Sequence, residues 1–306
     1  MNAHASTFIP AARASTAAKK HQRLVGMFSL VALGTILALA LYGSDYYQLS
    51  RTERAFSPKH HLLRPSGIVG INLGVAGVLM LCGIFLYPLR KRWGWLQKQG
   101  NSKHWLDHHV VLGFAAPVCI AFHSSFKFRG LAGMAFWVMV AVSVSGLIGR
   151  YLYAQIPRHV ASAELALLEF QGVLERQTIV PHPDLRRLLF QVSAHNVSNW
   201  SAFSALVYMV ACDLARPFNV FHLRAKVLGT KFAIKSLIGL RYSTNVQFEE
   251  VIHLACKQAT TSRRIIFLSH IQRVFKLWHV VHRPFSYAFA VLALIHIGVA
   301  MLLGFI

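Results

Sequence analysis

Long apolar runs alternate with short polar and basic stretches along most of this chain. Five of the runs come close to the ~20 residues that a helix needs to cross a bilayer. They are residues 24–42, residues 66–88, the stretch that holds His109 and His123, residues 131–153, and residues 279–306. A shorter run at 200–212 is typical of an interfacial or buried helix. The pattern predicts an all-α integral membrane helical bundle with about five transmembrane helices, or six if the short run also crosses.

These runs divide the chain into four parts. Residues 1–23 are expected to form a basic cytoplasmic tail, and residues 24–153 a four-helix transmembrane part. Residues 154–278 are expected to form a long basic cytoplasmic or interfacial loop, which includes an amphipathic helix over 161–176. Residues 279–306 are the last transmembrane helix, which completes the bundle. The tail also has the composition of a transit peptide or the n-region of a signal sequence, but the apolar run after it is longer than a typical signal segment.

Composition supports the membrane assignment. Hydrophobic residues make up 55% of the 306 residues and charged residues only 14%, which a soluble fold could not hide. Net charge is +22, from 32 Lys and Arg against 10 Asp and Glu. The basic residues lie between and beside the apolar runs, where orientation rules and anionic lipid account for them. We therefore expect membrane lipid as a partner and no nucleic acid.

The distribution of the basic residues predicts an orientation. With five spans and the N-terminus in the cytoplasm, 26 Lys and Arg lie on the cytoplasmic side and 6 on the other side. This asymmetry agrees with the positive-inside rule. We expect the chain in a bacterial-type inner (cytoplasmic) membrane, with the long basic loop along the anionic inner leaflet or docked to an acidic redox partner.

The glycines of the second run and the four cysteines say little about function. Gly67, Gly70, Gly74 and Gly77 share one helical face, which lets another helix or a flat cofactor come close, and helix packing is the commoner use. The four cysteines are far apart and no CxxC or CxxCH occurs, which excludes the usual signatures of zinc ribbons, iron–sulfur clusters and covalently attached c-type haem. Disulfides are not expected.

The functional prediction depends on the positions of two pairs of histidines. His109 and His123 are 14 residues apart, and so are His282 and His296. In a helix, 14 residues return to within about 40° of the starting face and rise by ~21 Å. Each helix would thus carry two imidazoles on one face, one towards each side of the bilayer. Two such helices side by side can hold two haems b, each between one imidazole from each helix.

Plainer interpretations stay open. With 17 histidines, chance alone yields about one pair at a chosen spacing, so placement decides more than number. Both pairs lie inside strongly apolar runs, where an ionisable side chain is costly and usually functional. Buried structural histidines, a metal site or a proton pathway are the alternatives. His108 and His279 are competing ligands whose spacings fit one helical face less well.

Which histidine of one helix faces which histidine of the other depends on the number of spans. With five spans, His109 faces His282 near the cytoplasm and His123 faces His296 near the other surface, whereas a sixth span swaps the partners. Two arginines are candidates for contact with haem propionates. Arg129 lies in the short turn after His123, and Arg150 lies at the end of the fourth run. A solvated turn explains Arg129 equally well, and a membrane interface is the usual place for Arg150.

The segments HHVVLGFAAPVCIAFHSSF and WHVVHRPFSYAFAVLALIH resemble the histidine-bearing helices of the ferric reductase-like transmembrane domain of iron reductases and NADPH oxidases. They resemble the dihaem cytochrome b of quinol-oxidising complexes more loosely. The resemblance covers about residues 104–153 and 277–306. It implies a helical bundle, two b-type haems with His109, His123, His282 and His296 as axial ligands of the iron, and electron transfer across the membrane. Family members usually continue into a flavin- and nicotinamide-binding domain, whereas this sequence ends after the last helix and contains no GxGxxG fingerprint.

We therefore expect a membrane cytochrome b subunit that relays electrons between a separate donor and an acceptor on the other side. The donor would be a quinol, a flavoprotein or a soluble carrier, and the chain would act as an electron-transfer subunit of a larger oxidoreductase complex without catalytic residues of its own. One alternative is a ferric or quinone reductase whose terminal step occurs at the outer haem. Another is a non-haem metal or proton transporter that uses the histidines directly.

Overall fold

The computed structural model describes residues 9–157, 159–176, 200–230 and 246–304, and these residues form helices and connecting turns without any strand. Eleven α-helices are numbered here in chain order, and a short 3₁₀ helix, Glu53–Phe56, lies between the second and third. They are α1 (Ile9–Tyr42), α2 (Ser44–Gln48), α3 (His60–Leu63), α4 (Ile68–Arg90), α5 (Gly94–Gln97), α6 (Ser102–His123), α7 (Gly130–Gln155), α8 (Val160–Arg176), α9 (Ala202–Leu228), α10 (Val246–Ile266) and α11 (Leu268–Leu302). The predicted all-α class is confirmed.

Four of the described helical segments are long and apolar enough to cross a membrane. They are His60–Arg90, which includes α3 and α4, and the helices α6, α7 and α11. Large apolar side chains lie on their outer faces, and Leu79 and Leu294, for example, are 67% and 65% exposed. Contiguous apolar surface of this kind is covered by lipid or protein in the cell. In α1 the described apolar stretch is shorter, Ser29–Tyr42.

The chain forms two compact units. The first unit comprises Met1–Ile148 and Val281–Ile306, and the second comprises Gly149–Val280. The boundaries fall inside α7 and α11. All four histidines of the two pairs belong to the first unit. Part of the basic tail (1–8) and much of the basic loop (177–199 and 231–245) lie outside the described residues.

Helix α4 packs along α6 in the first unit, and its glycine face makes this possible. A Cβ at Gly74 would lie 2.9 Å from ring atoms of His123, and one at Gly77 would collide with Ile120. The small residues Gly74 and Gly77 thus lie where α4 packs closely against side chains of α6. The helix-packing interpretation holds for these two glycines, whereas Gly67 and Gly70 lie against backbone of residues 61–65. Ala116 of α6 and Phe136 and Met139 of α7 form a small buried core.

The turn after α6 is held by a buried arginine. Arg54 is 8% exposed, and its guanidinium donates to three backbone carbonyls, those of Leu49 (3.0 Å), Tyr47 (2.5 Å) and Ser125 (2.6 Å). Ser125 and Phe126 adopt positive φ values of 46° and 60°, which non-glycine residues rarely do. The hydroxyl of Ser125 donates to the Leu63 carbonyl at 2.6 Å. These bonds fix the backbone one turn beyond His123.

The second unit contains α8, α9, α10 and the first part of α11. Residues of α8, α9 and α10 share a core that includes Leu174, Leu223 and Phe248. The amphipathic helix predicted over 161–176 is present as α8. A half-buried ionic network surrounds Asp213, which accepts from Arg216 at 2.6 Å and from Arg263 at 3.2 Å.

Two helix boundaries differ from the sequence-based expectation. The run at 200–212 is the first half of α9, which continues through Pro217 to Leu228, whereas it was expected to end near residue 212. The Asp213–Arg216 ion pair spans the turn before the proline, and the second half packs through Leu223 against α10. Helix α11 begins at Leu268, not near His279, because Ile271 and Phe275 pack on the core of the second unit.

Candidate functional site

His109 is oriented by a backbone carbonyl that a proline leaves available. The imidazole is half-buried on α6, and its Nδ1 lies 2.9 Å from the Ile84 carbonyl of α4. Four residues after Ile84 comes Pro88, inside the same helix, which has no N–H to donate to that carbonyl. A carbonyl only accepts, so Nδ1 carries the proton and the lone pair of the neutral ring is on Nε2. The sequence thus creates the acceptor and leaves Nε2 suited to bind a metal.

His123 is held in the same way at the other end of α6. Its Nδ1 donates to the Gly70 carbonyl of α4 at 2.7 Å. The ring packs against Gly74, at a place where any larger side chain would displace it. The lone pair again lies on Nε2.

His282 of α11 is anchored by a serine of α7. Its Nδ1 lies 2.7 Å from Ser145 Oγ, and that hydroxyl donates its own proton to the Val142 carbonyl at 2.8 Å. With the hydroxyl proton donated to the Val142 carbonyl, Ser145 Oγ is the acceptor for Nδ1–H. Gly146 lies beside the ring, with an added Cβ 3.9 Å from its Cε1. The sequence contained Ser145 in an apolar run without indicating this role.

His296 lies half-buried on α11, and His123 is its electrostatic neighbour.

Around His109 lies a group of side chains that sequence reasoning did not assign to the site. The Tyr87 ring is 5.2 Å from the His109 ring, between centroids. Lys91 Nζ lies 4.9 Å from the Tyr87 ring centroid, and Lys91 has Arg283 as an electrostatic neighbour. Lys91 stands just past the end of α4, and burial, with a smaller contribution from Arg283, lowers its pKa below the ordinary lysine value. In the sequence, Lys91 was one residue of a basic and aromatic cluster that a membrane boundary explains.

The structure describes the other candidate residues as well. His108 is exposed on α6, whereas its neighbour His109 is half-buried. His279 belongs to the second unit, and its Nδ1 lies 3.1 Å from the Phe275 carbonyl of its own helix. Arg129 is exposed in the turn between α6 and α7, and Arg150 belongs to the second unit.

Three histidines of the first unit have a hydrogen bond that is typical of metal-bound imidazoles. Metal-bound histidines almost always donate their second ring N–H to a carbonyl or another acceptor, which fixes the tautomer. His109, His123 and His282 each have that bond. A porphyrin supplies four nitrogens to its iron, so one axial pair of histidines suffices. Within the described ranges, no three or more His, Cys, Asp and Glu side chains form a group that could hold a bare metal ion.

No family model, no curated protein and no solved structure matches this chain. The resemblance to the ferric reductase-like transmembrane domain accordingly rests on the two histidine-bearing segments, and function is argued from the geometry of their side chains.

Proposed function

We propose that this chain is an integral membrane cytochrome b subunit that binds two b-type haems and relays electrons between the two sides of the membrane. Each haem would be held by one histidine of α6 and one of α11, His109 with His282 and His123 with His296. The observation that carries the proposal is the set of Nδ1 hydrogen bonds to Ile84, Gly70 and Ser145. They leave Nε2 of three buried or half-buried imidazoles as the metal-binding nitrogen.

A bound haem supplies one-electron chemistry, since its iron alternates between the ferric and ferrous states. Each haem would be held by two histidines, which suits electron transfer rather than oxygen binding. The carbonyls and Ser145 would hold each ring in place, so that little rearrangement accompanies a change in charge. Because His109 and His123 are 14 residues apart on one helix, the two sites would be separated by ~21 Å along it.

The topology we propose has five spans, α1, α4, α6, α7 and α11, with the N-terminus in the cytoplasm of a bacterial inner membrane. The excess of Lys and Arg on the side of the long loop supports it. A separate donor, such as a quinol, a flavoprotein or a soluble carrier, would deliver electrons, and a partner on the other side would accept them. The chain would then be one subunit of a larger oxidoreductase complex.

A reduced-minus-oxidised absorption spectrum with a pyridine haemochrome count tests the proposal. We expect about two b-type haems per chain in protein produced with an adequate haem supply. His109→Ala and His296→Ala should each lower this count. The neighbouring substitutions His108→Ala and His279→Ala are matched controls and should leave it unchanged. A purified, folded chain without haem would overturn the proposal in favour of a metal or proton pathway.

A further inference from the structure

We infer that α9 lies along the membrane surface and inserts an apolar stripe into the leaflet next to the second unit. The stripe consists of four large side chains of α9, Phe203, Val207, Leu214 and Phe218. Its partner is phospholipid, with these side chains among the upper acyl chains and basic residues of the unit at the headgroups. This surface goes beyond the relay of electrons, and it rests on the proposed topology and not on either haem site.

The stripe is an apolar face that the protein leaves exposed. Its four side chains are between 51% and 74% exposed. At 100° per residue they fall within about 60° of one another, and they extend over ~22 Å of helix. The charged residues of α9 lie outside this sector, and two of them, Asp213 and Arg216, pair with each other. An apolar surface of this kind is covered by lipid or by another apolar surface in the cell.

The opposite face of α9 packs on the ends of two helices that are apolar enough to span a membrane. The buried core that they share contains Leu152 of α7, Ala205 and Met209 of α9, and Ile271 of α11. Asp213 adds to this attachment, because its carboxylate accepts from the Tyr151 hydroxyl at 2.8 Å and from Gln155 Nε2 at 3.1 Å. In the proposed topology α7 leaves the bilayer and α11 enters it at these ends, so α9 lies at the membrane boundary.

The charge of the second unit favours lipid over a protein partner. Residues 149–280 contain 16 Lys and Arg against 7 Asp and Glu. Among the described residues, exposed basic side chains lie near the end of α9 and in the early turns of α11, and they are Lys226, Arg273 and Lys276. An anionic leaflet offers acyl chains to the stripe and negative headgroups to these cations. An acidic soluble protein would match the cations but not the uncharged stripe.

Helix α8 of the same unit provides a comparison. Leu165 and Leu168 are as exposed as the stripe, at 68% and 65%. Their neighbours in the sequence, Glu164 and Glu169, are exposed as well. An anionic leaflet repels such carboxylates, so α8 is not expected to enter it. Leu168 is therefore a matched control for the leucine and phenylalanine side chains of α9.

Fluorescent labels on single cysteines test the inference in the full chain, reconstituted into nanodiscs that contain anionic phospholipid. With the four native cysteines replaced, Val207→Cys and Phe218→Cys each place one label on the stripe, Leu214→Cys is a further position on it, and Leu168→Cys is the control. We expect lipids brominated on the upper part of their acyl chains to quench all stripe labels to a similar extent, because the helix lies flat. Iodide in the water should quench the label at position 168 and leave the stripe labels largely unaffected.

Three results would overturn the inference. Quenching of the stripe labels by iodide alone would show that water covers this face. Protection from both quenchers would show that a protein surface, from a partner or a second copy, covers it. Positions 207 and 218 are ~16 Å apart along the helix, so labels at clearly different depths would mean that α9 crosses the membrane. A haem count on the same samples tests the proposed function separately, since the labels report on lipid whether or not haem is bound.

Discussion

At the scale of single residues, the site depends on hydrogen bonds that orient imidazoles already placed by helix periodicity. His109 bonds to a carbonyl that lacks its helical partner because Pro88 has no N–H. Pro117 does the same in α6, where the Gly113 carbonyl accepts from the Ser143 hydroxyl at 2.7 Å. In a membrane, such freed carbonyls need a new donor, since no water is at hand. Prolines in α4 and α6 thus help to select which polar side chains are held in the helix contacts.

Arg54 is the residue whose loss we expect to disturb the His123 end most. Arg54→Lys keeps the charge but cannot reproduce the three guanidinium bonds to Leu49, Tyr47 and Ser125. Lysine can keep some of these bonds, so we expect a loss of roughly 2 kcal/mol of stability, which is about one hydrogen bond to a charged group at about 1.5–3 kcal/mol. Thermal unfolding in detergent measures it.

Arg51→Lys is the matched control for this substitution, because Arg51 is exposed in the same loop. It should leave the unfolding temperature unchanged. An Arg54→Lys protein as stable as the wild type would show that the turn after α6 does not depend on the guanidinium.

Sequence reasoning reached the four histidines but not the groups around them. Spacing reveals which residues share a helical face, so His109 and His123 could be chosen together. The Nδ1 acceptors of His109, His123 and His282 lie 25, 53 and 137 residues away, on other helices, and depend on how the helices pack. The contact of Lys91 with the Tyr87 ring was not predicted either, since a basic residue at a membrane boundary needs no special role.

At the scale of helices, the contact between α4 and α6 decides how closely the His123 ring can be held. Gly74→Ala would place a Cβ 2.9 Å from the ring, tighter than normal van der Waals contact. The ring must move away from the Gly70 carbonyl, at a cost of about 1–3 kcal/mol for overpacking. We expect the haem count to fall from two towards one per chain, measured by pyridine haemochrome.

Gly34→Ala, on α1, provides the comparison, because nothing lies within 4 Å of an added Cβ there. It should retain both haems. If Gly74→Ala retained two haems with an unchanged spectrum, the Gly74 contact would not position the His123 ligand.

Helix existence was easier to predict than helix extent. The apolar runs located α4 and α7 to within a few residues, because burial in lipid requires continuous apolar sequence. The end of α9 and the start of α11 lie outside the apolar runs, since both helices continue as segments whose stability comes from packing within the second unit. Tertiary contacts of this kind leave only a weak signal in local sequence.

At the scale of the whole molecule, the distribution of basic residues and the lengths of the apolar helices support the same topology. The division of the basic residues into 26 on one side and 6 on the other holds only if α9 does not cross the membrane. Helix α9 is not one of the four described segments that are apolar enough to span. It carries Asp213, Arg216, Arg224 and Lys226, and Ala205 and Met209 are buried in the second unit. A crossing would expose these charges to hydrocarbon at high cost.

Labelling of single cysteines in intact cells tests this topology. In a chain whose four native cysteines are replaced, Lys127→Cys should react with a membrane-impermeant maleimide in intact cells, because the proposed topology places the turn after α6 on the outer side. Lys98→Cys, beyond α4, and Thr230→Cys, beyond α9, should react only after lysis. Labelling of Thr230→Cys in intact cells would mean that α9 crosses the membrane. Helices α6 and α11 would then run in opposite directions, and His109 would have to pair with His296.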